Sequence, residues 1–288
     1  MLLIFLAALC SVGVSLIVKK YLSQGLNILA IITWNYAVAS LLCFLWFKPD
    51  MAHLIPQNVP WWLIVLLGAL LPSIFFALSK SLQHAGMIKT EIVQRLSVVL
   101  SILAAYIVFN ESMSALKFCG FTIGVVAVVL MVLQKTSMSQ PNLSSKGIWA
   151  LVAVWVGYAL VDILLKYNSR LGLGFAISLN LIFVFAGMLS LLATFIKAKK
   201  QLLKWQNICA GLIVGMLNFA NIALYVNAHR ALHDSPAIVF ASMNILVVVF
   251  GVMSGVVLFK EKLTPRLSLS VTMAIVAVLC LMLAMKPS

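Results

Sequence analysis

Apolar residues run almost unbroken along the chain and are interrupted at near-regular intervals by short polar connections. The runs approach the ~20 residues that an α-helix needs to cross a bilayer. Ten spans can be counted, at 1–18, 26–47, 61–82, 85–109, 115–134, 147–166, 174–196, 205–228, 235–258 and 266–285. One of the two longest connections, 135–146 (KTSMSQPNLSSK), is polar and Ser-rich. It divides the chain into two five-span halves, 1–135 and 147–288, with 136–146 as the linker.

The halves are related. A shift of 150 residues brings Glu111 onto Glu261, Phe109 onto Phe259 and Thr122 onto Thr272, and superimposes the Val-Ala-Val runs at 126–128 and 276–278. An odd number of spans per repeat inverts the second half in the membrane. Inverted repeats recur in secondary transporters, whose binding sites lie near the midplane where the repeats meet. The predicted fold class is an all-α integral membrane protein, with ten transmembrane helices as two inverted five-helix repeats.

Composition agrees with a membrane protein. The chain of 288 residues is 64% hydrophobic and 9% charged, against roughly 45–50% and about 25% for soluble domains. Its formal charge of +14 would suggest nucleic acid in a soluble protein. Here the cations cluster at the ends of apolar runs, as orientation signals do, so no nucleic-acid partner is expected. Cys10, Cys43, Cys119, Cys209 and Cys280 all lie in apolar runs without metal or CxxC spacing and read as buried free thiols. The apolar start at Met1 lacks a basic leader and reads as a first span rather than a signal peptide.

With IVFNES at 107–112 and VLFKEK at 257–262, each closing an apolar helix before a small-residue-rich span, the chain resembles EamA-type members of the drug/metabolite transporter (DMT) superfamily. The resemblance covers essentially the whole chain. It implies a carrier of the bacterial inner membrane with a central cavity, typically exporting metabolites, amino acids or drugs. Relatives often carry a proline midway along the fourth and ninth helices. Ser97-Val98 and Val247-Val248 stand there instead, so straighter helices are expected.

Charge and resemblance disagree on orientation. The odd-numbered connections hold Lys19, Lys20, Lys80, Lys135, Lys146, Lys197, Lys199, Lys200, Lys204, Lys260, Lys262 and Arg266. The even-numbered side, with both termini, holds Lys48, Lys117, Lys166, Arg170, Arg230 and Lys286. The positive-inside rule therefore places the odd side in the cytoplasm and the termini outside; the resemblance implies the reverse.

The most unusual stretch is span 4, which carries Lys89, Glu91, Gln94 and Arg95 in its first turns. Arg95 falls ~3 Å from the midplane, where a charge faces a protein interior or a water-filled path. Glu91 and Arg95, four residues apart, share a face. Two roles fit: Arg95 binds an anionic group of the substrate while Glu91 takes and releases a coupling proton, or the two neutralise each other as a packing pair. Asp162 in span 6 is either a second proton-coupling carboxylate or an interfacial partner of Lys166.

Asn218, Asn221 and Tyr225 form a polar stripe on span 8, which lines a cavity or joins helices, since an unsatisfied amide is costly in hydrocarbon. Asn244 is the 150-residue counterpart of Gln94. Trp34 and Asn35 sit deeper in span 2 than an interfacial belt; they suit a planar or apolar part of a substrate, or helix packing. Glu111 and Glu261 read as helix-end or loop-ordering residues, and the pairs Gly120/Gly124, Gly211/Gly215 and Gly251/Gly255 as close-packing motifs. His53, His84, His229 and His233 show no metal spacing.

HExxH, P-loop and GxSxG motifs are absent, so neither an enzyme nor a self-powered pump is expected, and no cofactor. The expected partners are a small-molecule substrate, the lipid bilayer and protons as the coupling ion. The alternatives from other classes are a non-transporting assembly or regulatory subunit, and a carrier of a lipid-linked substrate with a cavity open sideways.

Overall fold

The computed structural model of the chain describes residues 1–50, 57, 59–109, 113–132, 144–233 and 235–284. These form α1 (Leu2–Ser23), α2 (Ile28–Phe47), α3 (Trp61–His84), α4 (Met87–Arg95), α5 (Ser97–Phe109), α6 (Ala115–Val132), α7 (Ser145–Arg170), α8 (Phe175–Leu202), α9 (Trp205–Ala231), α10 (Pro236–Phe259) and α11 (Pro265–Ala284). Helices α4 and α5 together make the fourth span, and ten helical stretches are long and apolar enough to cross a membrane. The protein is an all-helical, multi-pass membrane protein.

Most of the 136–146 linker, and Glu111 and His53, lie outside the described residues. The linker's last two residues belong to α7, because Ser144 caps that helix: its Oγ accepts from the Gly147 N–H at 3.2 Å.

Helix packing follows a regular pattern. α2 lies along α8 and α6 along α11; α1 lies on α9 as α3 lies on α7; α2 meets α9 as α3 meets α8; and α1 meets α10 as α4 and α5 meet α7. Exchanging each of the first five spans for the span five places later leaves these pairings unchanged.

Lipid tails are as apolar as leucine, so close van der Waals contact must hold the spans together. Small residues at the crossings allow it. A Cβ on Gly211 would stand 2.4 Å from Trp34 Cβ, and one on Gly215 2.8 Å from the Asn35 carbonyl oxygen, so α9 rests directly on the backbone of α2. On α10, Gly251 and Gly255 give the same seat to Glu91 and Ile88 of α4.

The fourth span corrects the expectation of a straight helix. It breaks at Leu96 without a proline, whereas α10, its counterpart, continues unbroken. Backbone can leave the helix at membrane depth only where its polar groups are met inside the protein. Here the Trp155 indole N–H of α7 donates to the Leu96 carbonyl at 2.9 Å, and Ser97 Oγ donates to the Gln94 carbonyl at 2.7 Å. Leu96 itself is fully buried.

Gly211→Leu should force α2 and α9 apart and cost about 3 kcal/mol or more. Gly174→Ala, where an added Cβ meets only Ile177 at 3.9 Å, should change stability by under ~0.5 kcal/mol. Thermal melting of the purified protein in detergent checks both.

Candidate functional site

A cavity of about 870 Å³ lies among eight of the ten spans, all but α6 and α11. Its floor lies about midway along the spans, where Ser11 and Ser15 of α1, Tyr36 of α2 and Gln94 and Arg95 of α4 line it. It extends to the even side, where Phe175 and the end of α9 (His229, Arg230 and His233) form the mouth. One wall is aromatic and aliphatic, with Phe75, Phe183 and Phe240 among its residues.

Arg95 is the last residue of α4. The break therefore sets its guanidinium at a helix C-terminus, where free carbonyls and the helix dipole favour a cation. Its Nη2 donates to Ser11 Oγ, while among the described residues Nε has no partner. Gln94 Oε1 and Asn221 Oδ1 are likewise buried without partners. Three unpartnered polar atoms on residues that line one cavity leave hydrogen-bonding capacity for a ligand, because a buried polar group left unsatisfied is costly.

The Glu91–Arg95 ion pair, one of the two readings of this face, does not close. Glu91 is 1% exposed and absent from the cavity wall; it sits behind it, wedged against Gly251 of α10. Ser15, within reach of the carboxylate, and Arg95 are the polar groups on its side, though among the described residues neither carboxylate oxygen makes a well-formed hydrogen bond. The two side chains diverge because Glu91 docks on α10 while Arg95 turns to α1 and the cavity.

Asp162 opens onto the cavity and accepts from Ser101 Oγ at 3.3 Å. Asn218, Asn221, Tyr225 and Asn244 all line the cavity. Asn244 spends its Nδ2 on the Phe240 carbonyl one turn back, at 2.8 Å. Span 2 departs from the expectation. Trp34 lies outside the cavity: its Cβ packs against Gly211 and its Nε1 donates to the Leu202 carbonyl at 2.9 Å. Asn35 is fully buried behind the wall and accepts from Asn218 Nδ2 at 3.2 Å, so it orients a lining residue rather than lining the cavity itself.

Sequence reasoning missed Ser11, Ser15, Tyr36, Tyr158, His229 and His233. The signal for two of them was present: His229 and His233 extend the Asn218/Asn221/Tyr225 stripe by one and two further turns. The His229 ring meets Tyr225 edge to face, with centroids 4.6 Å apart.

The odd end is closed. Glu261, just beyond α10, accepts from the Met87 N–H at 2.6 Å and the Ile88 N–H at 3.0 Å, which caps α4. Lys19 of α1 donates to the same carboxylate and lies over the Phe259 ring, 4.1 Å from its centroid. Gly86, at φ +92°, leaves room for the Glu261 carboxylate. Three spans are thus tied at one carboxylate.

Residues 1–133 match the EamA-like transporter family. An uncharacterised protein of Haemophilus influenzae is 34% identical over 282 residues, covering 96% of this chain and 95% of that protein. One crystal structure of a protein superposes with a TM-score of 0.62 at 14% identity, covering 98% of this chain and 96% of that chain, a likeness of fold.

Two outcomes test this geometry. Cysteines at Gln94 and Asn221 should react with a water-soluble maleimide in the folded protein, while one at Trp34 stays protected. Trp155→Phe, which leaves the Leu96 carbonyl with the Val99 N–H as its remaining donor, should cost about 0.5–1.5 kcal/mol in a detergent melt.

Proposed function

We propose, for a chain that belongs through residues 1–133 to the EamA-like transporter family of the DMT superfamily, a secondary active transporter of a small organic solute. The observation that carries this reading is a cavity that reaches mid-membrane from one side, is closed at the other, and presents unpartnered polar atoms at its floor. Arg95, Gln94, Asn218, Asn221, Tyr225 and Asn244 bind the solute, and the apolar wall takes its hydrophobic part. Arg95 is the partner of an anionic group on it. Asn35 acts by orienting Asn218.

The two halves, 1–135 and 147–288, act as inverted repeats, a division supported by the exchange symmetry of their packing. Alternating access exchanges which end of the cavity is closed. In the present conformation the even side is open, and the Glu261 knot with Lys19 and the start of α4 holds the odd side shut. Glu91 and Asp162 carry the coupling proton: Asp162 meets it in the cavity, and Glu91 holds it between α4 and α10. An ionised carboxylate without hydrogen bonds is expensive to bury, so each proton exchange at Glu91 would alter how α4 sits on α10. The membrane is the bacterial inner membrane.

Metabolite profiling of a host expressing the chain against one carrying an empty vector should reveal a solute whose level changes. Arg95→Gln should reduce that change at least tenfold, about 1.4 kcal/mol. Identical profiles with and without the chain would refute transport. Once the solute is known, Glu91→Gln proteoliposomes should lose gradient-driven uptake and keep counterflow exchange; normal driven uptake would remove Glu91 from the coupling path.

A further inference from the structure

Helix α8 has 28 residues, about 42 Å at 1.5 Å per residue, against a hydrocarbon layer of about 30 Å. It stays packed as far as Thr194, which shares a hydrogen bond of 2.9 Å with Thr33 of α2. Beyond that point its surroundings change. Phe195 is 51% exposed and Ile196 72%, and after α8 Leu203 is 77% exposed and Trp205 73%. Interleaved with them are Lys197, Lys199, Lys200 and Lys204, all exposed.

The backbone of this segment is shaped and held. Ala198 leaves helical geometry (φ −150°, ψ 36°) and bends the last turn away from the helix axis. That turn is then pinned at two places. Trp34 Nε1 of α2 donates to the Leu202 carbonyl at 2.9 Å, and Asn207 Nδ2 of α9 donates to the Gln201 carbonyl at 2.8 Å. The segment is a fixed foot at the odd end of the bundle. No acidic residue falls between 195 and 205, and among the described residues none of the four lysines has an ion pair; Lys199 lies over the Phe195 ring instead, 4.4 Å from its centroid.

Large apolar side chains and unpaired cations on one bent, end-anchored segment match the two layers of a membrane surface. The apolar groups enter the acyl boundary and the ammonium groups reach the phosphates. We infer that residues 195–205 form a docking surface for anionic phospholipid headgroups, and that it seats the odd side of the protein on the anionic leaflet. This inference does not depend on transport. It also gives Trp34, which the cavity does not use, a place: its indole holds the foot in position.

The test uses the full-length chain in detergent micelles doped with phosphatidylglycerol or phosphatidylcholine, with bound lipid counted by native mass spectrometry. The wild-type chain should retain phosphatidylglycerol in preference to phosphatidylcholine. Replacing Lys197, Lys199, Lys200 and Lys204 together by Gln should lower retained phosphatidylglycerol at least threefold, and replacing the same four by Arg should preserve it. Trp34→Phe, which frees the Leu202 carbonyl without touching a charge, should give an intermediate loss. Equal phosphatidylglycerol retention by the Gln and Arg variants, or no lipid preference in the wild type, would overturn the inference and leave the lysines to a soluble acidic partner.

Discussion

Arg95 brings a guanidinium to mid-membrane, where a cation on a lone helix would cost several kcal/mol or more. The surrounding structure answers that cost. The fourth span breaks just after Arg95, so the cation ends a helix and gains its free carbonyls and dipole. Backbone groups at the break are met inside the protein: the Leu96 carbonyl accepts from Trp155 and from the Val99 N–H, and the Gln94 carbonyl from Ser97. Ser11 of α1 then receives the guanidinium.

The short helix that results, α4, is held by other spans at both ends. Glu261 and Lys19 secure its start from α10 and α1, and Trp155 of α7 secures the backbone at its end. Along its side, Gly251 and Gly255 of α10 admit Glu91 and Ile88. One nine-residue helix thus touches the closed end, the cavity floor and the packing between the halves. A change at any of these places has a direct mechanical route to the others, because the helix is too short to absorb it by bending.

Polar groups elsewhere divide by whether the protein itself satisfies them. Thr33 with Thr194 is matched within the bundle, while Asn35 is matched at Oδ1, which accepts from Asn218, but not at Nδ2 among the described residues. Gln94 Oε1, Asn221 Oδ1 and Arg95 Nε are not. The lysines of the α8 foot are unmatched at the opposite kind of boundary, the membrane surface. Both sets leave binding capacity unused by the chain: one on the cavity wall, the other on the exposed end of α8.

Much of this was legible from residue order alone. Hydropathy defines ten spans because the bilayer requires long apolar helices. The polar stripe of span 8 was visible because helical period places it on one face. Tertiary structure decided which neighbour each face meets. Trp34 was as deep and polar-flanked as a site residue, yet it turns to α9 and the end of α8. Glu91 and Arg95 had pairing distance along one helix, yet docking on α10 and α1 draws them apart. The break at Leu96 has no local cause such as proline; its donor comes from Trp155, 59 residues away in the chain. Spacing along a helix fixes which side chains share a face, but what that face touches depends on crossings set by small residues on other spans, and only the assembled bundle contains those.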